Sequence, residues 1–164
     1  MMNKIKKDVK SVGLLYVLMI PLGVFGVLYL GESIFVSGNI EETVENILSN
    51  ERIFRFSLFT SLILQVCHIF IVIMLYNLLK VVNKTLSFYM VIFMLISVPI
   101  SMLNELNHIA VLYLAKSNIT NRNDLIELFI MLREYGIIIS SIFWGLWLFP
   151  MGILVFKSGF IPKI

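Results

Sequence analysis

Four apolar stretches fill most of this 164-residue chain and restrict it to the folds that a lipid bilayer permits. They run roughly from Val12 to Leu30, Phe56 to Leu79, Leu86 to Leu106 or beyond, and Gly136 to Phe156. A hydrocarbon core about 30 Å thick needs roughly 20 residues of helix to cross it. Inside that core each segment must satisfy its own backbone groups, so runs this continuous read as helices. The expected architecture is all-α: a single-domain polytopic membrane bundle over 1–164, with four transmembrane helices.

Composition supports the class and closes off others. Hydrophobic residues make up 59% and charged residues 14%, where a soluble domain has nearer half and a quarter. No basic block with interleaved aromatics is present, so no nucleic-acid partner is expected. The lone cysteine, Cys67, lies inside the second apolar run and reads as a small buried hydrophobe. Lys4, Lys6, Lys7 and Lys10 precede the first run as they would a signal peptide. That run is longer than a signal core, and Val36-Ser37-Gly38 is a weak cleavage site, so it is taken as an uncleaved helix.

The lysines set the orientation. With the N-terminus in the cytoplasm, the inner side holds Lys4, Lys6, Lys7, Lys10, Lys80, Lys84, Lys157 and Lys163 against the single acid Asp8. The outer side then holds five cations against nine acids. The positive-inside rule therefore predicts a multi-pass protein of the cell membrane with both termini cytoplasmic. The outer segments carry helical patterns of their own. Asn39 with Glu42 fits a cap, and Ile40, Val44, Ile47 and Leu48 fall on one face. Asn123 and Asp124 mark a second start, followed by Leu125, Leu128, Phe129 and Leu132. Two short amphipathic helices on the outer side are expected, serving as membrane-surface or bundle-capping elements. The connection Lys80 to Thr85 is short, so the second and third spans form an antiparallel hairpin.

Polar residues inside spans are costly and mark candidate function. Ser57, Ser61, Gln65 and His68 share one helical face of the second span. Ser97, Ser101, Asn104 and His108 share one face of the third, flanked by Glu105 and Asn107. Folding the hairpin about residues 82 and 83 brings Gln65 level with Ser101 and Ser61 level with Asn104. The candidate polar pocket is Gln65, His68, Ser101, Asn104, Glu105 and His108, with interhelical packing as the competing role, above all for the serines. Arg55 is placed by level as the ion-pair partner of Glu105. Pro99 removes an amide donor, so a kink in the third span is expected there. In the fourth span, Trp144 and Trp147 form a candidate aromatic wall, against the alternative of lipid exposure or core packing. No nucleophile elbow, zinc motif or phosphate loop is present, so no catalytic residue, metal or cofactor is assigned.

Several short motifs keep order and spacing over nearly the whole chain. They are Gly13-Leu14-Leu15-Tyr16, Asn46-Ile47-Leu48, Phe54-Arg55-Phe56, Leu75-Tyr76 and Val81-Val82-Asn83-Lys84. The most specific are Phe143-Trp144-Gly145-Leu146-Trp147-Leu148-Phe149-Pro150-Met151-Gly152 and Lys157-Ser158-Gly159-Phe160-Ile161-Pro162-Lys163. With these, the stretch from Ser11 to Ile164 resembles the bacterial membrane family called domain of unknown function 4386. The resemblance implies a polytopic, bacterial membrane protein with no assigned activity or site residues. It also implies that relatives continue past Lys163 into further apolar helices, which makes this a chain truncated at its C-terminus.

The functional expectation is a non-enzymatic integral membrane protein that binds a small or lipid-like ligand, or a partner, within the membrane. One alternative is a subunit of an oligomeric transporter or permease, since four spans without repeats give one chain little to alternate. A second is an intramembrane enzyme using Glu105 and His108. The expected partners are the lipid bilayer and a second copy of this chain or other membrane helices.

Overall fold

The computed structural model describes residues 2–24 and 34–159, with side chains from Val9 onward. Among the described residues five helices appear in order: α1 Met2–Gly23, α2 Ile40–Ser49, α3 Glu51–Leu79, α4 Lys84–Ala115 and α5 Arg122–Ser158. Three of them, α3, α4 and α5, are long and apolar enough to cross a bilayer. The apolar part of α1, Val9–Gly23, is shorter. The rest of the first expected span falls on residues 25–33, outside the described residues.

Local chemistry fixes the ends. The Asn39 side chain accepts from the Glu42 amide at 3.1 Å and donates to the Glu42 carboxylate at 3.0 Å, a reciprocal cap that starts α2. Asn50 ends α2 and begins α3, so the two meet at a corner. Asn83 caps α4 through the Leu86 amide at 2.9 Å, directly after the 80–83 turn. That cap makes α3 and α4 the antiparallel hairpin its short connection requires. Asn121 takes a left-handed conformation (φ 60°) ahead of α5, and Asp124 sits in the first turn, where the helix dipole favours an acid.

The second outer segment differs from the expectation. Leu125 to Leu132 is not a separate amphipathic helix: it is continuous with the last span in the 37-residue α5. No proline or connecting loop interrupts the stretch, and Gly136 is held in helix by close packing against α4. Likewise α3 begins five residues before Phe56, whereas α4 runs on to Ala115, as the open end of its apolar stretch allows. Pro99 lies within α4, which stays helical on both sides of it.

Among the described residues two apolar cores result, named inner and outer after the orientation that the lysine distribution predicts. The inner one joins Val12 and Met19 of α1 to Leu64, Ile71, Val72, Leu75 and Leu79 of α3, with Met90 and Met94 of α4 and Trp147 and Leu154 of α5. The outer one gathers Ile34, Val44 and Ile47 of the α2 region around Phe54, Val111, Leu112, Leu114, Ala115 and Ile126. Most of each apolar window on α3, α4 and α5 faces outward, with Phe59, Phe70, Leu103 and Phe149 among the exposed side chains. Soluble monomers rarely expose so much apolar surface, whereas a lipid-facing helix does.

Candidate functional site

Between the two cores the buried residues turn polar on every long helix. On α3 the change comes at Ser57, Thr60 and Ser61, on α4 at Ser97, Ser101, Asn104 and His108, and on α5 at Ser140. Four of these hydroxyls are satisfied within their own helix. Ser57 donates to the Phe54 carbonyl at 2.7 Å, Thr60 to Ser57 at 2.8 Å, Ser97 to Met94 at 2.7 Å and Ser140 to Gly136 at 3.0 Å. Such groups fill space between helices at little cost in unpaired polarity.

Asn104 behaves differently, because it joins α4 to α5. Its Nδ2 donates to the Arg133 carbonyl at 2.9 Å, and its Oδ1 accepts from Asn107 Nδ2 at 2.9 Å. The approach is possible because residue 136 is glycine: a Cβ there would overlap the Asn104 amide. Small residues at helix crossings allow this kind of backbone approach in membranes.

Just below this crossing lies a cavity of about 250 Å³. Phe35, Ser61, Asn104, Glu105 and Arg133 line its outer rim; Gln65, His68, Ser101, Ser140 and Trp144 line the deeper part, with Leu64 and Ile137 as apolar wall. Five buried polar atoms around it have no hydrogen-bond partner: Gln65 Oε1, His68 Nδ1, Ser101 Oγ, Arg133 Nε and Trp144 Nε1. Buried polar atoms are nearly always paired, and leaving one unpaired costs about 1–3 kcal/mol. Five such atoms converge on this one space.

Of the residues singled out in the sequence, Gln65, His68, Ser101, Asn104, Glu105 and Trp144 line this one cavity. His108 does not. It is 1% exposed, with Nδ1 3.1 Å from Glu105 Oε2 and its ring edge-on to Phe54 at 4.2 Å, so it turns toward the outer core. Trp147 packs in the inner core and leaves Trp144 as the cavity tryptophan. The expected Arg55–Glu105 pair is not formed. Arg55 Nε bonds Glu51 one turn away on its own helix at 2.8 Å, and Glu51 also accepts from Lys116 of α4 at 2.8 Å. Glu105 faces inward, where His108 meets it.

Arg133, Ser140 and Ile137 were missed as site residues. The signal was present: Arg133, Ile137, Ser140 and Trp144 step by four, three and four, a third stripe matching those of α3 and α4. Among the described residues no group of three His, Cys, Asp or Glu side chains is placed to hold a metal ion. The family described as Domain of unknown function (DUF4386) matches the chain over residues 11–164. No curated protein and no solved structure matches it.

Proposed function

We propose that this chain, which belongs to the family described as Domain of unknown function (DUF4386), is a ligand-binding membrane protein. It crosses the membrane four times with both termini in the cytoplasm, and it holds a small amphipathic ligand in the outer half of the bundle. The lysine distribution supports the orientation. The carrying observation is the 250 Å³ cavity with five unpartnered polar atoms from three helices. Apolar walls with a few convergent polar groups are the usual make-up of small-molecule sites. A binding role suits the residues better than acid–base chemistry, because the Glu105–His108 pair has its histidine ring packed against Phe54, away from the cavity.

Filling the cavity tests the reading. Ser101→Leu places an apolar side chain where an unpaired hydroxyl now sits. In nanodiscs the variant is expected to unfold within a few degrees of wild type and to lose every ligand-induced rise in melting temperature found in a metabolite screen. Full retention of those rises in Ser101→Leu would place the binding elsewhere.

A further inference from the structure

The cavity's size and charge pattern also narrow what it takes, if it is the binding site proposed above. The geometry points to a small carboxylate whose anionic group sits at the rim on Arg133. Its apolar body ends in an uncharged hydrogen-bonding group, such as a hydroxyl, among Gln65, His68, Ser101 and Trp144.

Size comes first. A dry engineered cavity of roughly 150 Å³ holds one benzene. At 250 Å³ this cavity holds a molecule larger than benzene and far smaller than a two-chain lipid. Charge comes second. Among the described residues two formally charged side chains, Glu105 and Arg133, line the cavity. Glu105 already has His108 at 3.1 Å, whereas Arg133 Nε is buried with no partner. A guanidinium is always charged, and Arg133, half-buried as a residue, keeps one buried donor without a partner. Its planar fork matches a carboxylate with two parallel bonds.

The deep end supplies the rest. Among the described residues it carries no Asp, Glu, Lys or Arg. Trp144 Nε1 can only donate, Gln65 Oε1 can only accept, and Ser101 Oγ can do either. A hydroxyl, which donates and accepts at once, fits such a mixed set better than a second charge does. Arg133 and Trp144 are eleven residues apart on α5, about 16 Å of helix rise. The two polar ends of the ligand are therefore separated by its body, which lies along Leu64 and Ile137.

Titration calorimetry of the full chain in nanodiscs, with three ring compounds of matched size, tests this. The probes are 4-hydroxyphenylacetate, phenylacetate and 4-hydroxyphenethylamine. The hydroxy acid is expected to bind tightest, and the amine at least about tenfold more weakly, the worth of a charge-assisted bond. Arg133→Gln should erase the preference for acid over amine, and Arg133→Lys should keep it, which guards against a folding defect. Trp144→Phe should weaken the hydroxy acid about fivefold more than it weakens phenylacetate, the worth of one neutral hydrogen bond. Equal binding of acid and amine by wild type overturns the assignment. So does the absence of binding by all three probes alongside stabilisation by an uncharged metabolite that Ser101→Leu abolishes, an outcome that leaves the binding reading intact.

Discussion

One amide holds the two most extensively packed helices at a fixed point. Asn104 reaches the main-chain oxygen of Arg133, and only a hydrogen at position 136 leaves room for it. Gly136→Ala is therefore expected to lower stability by about 1–3 kcal/mol, the usual cost of forcing atoms into a packed contact. Asn104→Ala alone should cost about 1 kcal/mol. Combined, the two should lose less than the sum, because the shortened side chain vacates the space that the new methyl needs. Unfolding midpoints of the four proteins in one detergent check this, and strict additivity would show that the two residues do not meet. Much of the site was legible at this scale. Polar residues at helical spacing within apolar runs can only share a face, so Gln65, His68, Ser101 and Asn104 were identifiable from position alone. Arg133 was harder to place, because its stripe with Ile137, Ser140 and Trp144 counts only once the helix is known to pass through residues 133 to 136. Gly136 was not legible, since its role is set by a side chain 32 positions earlier on another helix.

At the scale of elements, α5 carries the main departure from expectation. A surface helix followed by a separate span would tolerate a break near residue 134, whereas one continuous helix does not. Glu134→Pro removes an amide donor and crowds the carbonyl of Ile130. It should cost about 3 kcal/mol or more and displace Arg133 from the cavity, seen as a lower unfolding midpoint together with lost ligand response. Hydropathy alone divided the segment because Arg133 and Glu134 interrupt the apolar run; backbone hydrogen bonding is indifferent to that interruption. The hairpin's outer end is tied differently. Glu51 at the start of α3 accepts from Lys116 at the end of α4 and from Arg55. These are exposed ion pairs and are screened by salt. Amide exchange in the first turn of α3 should accelerate as sodium chloride rises toward 1 M, and Lys116→Met should show the fast rate at low salt already. A rate insensitive to both changes would make the contact incidental.

For the whole molecule, orientation is the first matter to test. Glu45 is exposed on α2. Introduced into a Cys67→Ala background, Glu45→Cys should react with a membrane-impermeant maleimide added outside intact cells; reaction only after lysis would invert the assignment. At about 1.5 Å per residue, the 37 residues of α5 span roughly 55 Å, nearly twice a 30 Å hydrocarbon core. On the proposed orientation, with the inner core at bilayer depth, part of the outer core beneath the acidic face of α2 would stand beyond it, where water is the competing solvent. The two halves of one chain are then held by forces with different thermal signatures. Burial from water carries a large heat-capacity change and weakens on cooling. Packing among lipid-embedded helices has no such driving force, since lipid tails are as apolar as the side chains they replace. Low temperature or urea should therefore loosen α2 and the helix ends around Phe54, Val111 and Ile126 while the bilayer keeps the lower bundle intact.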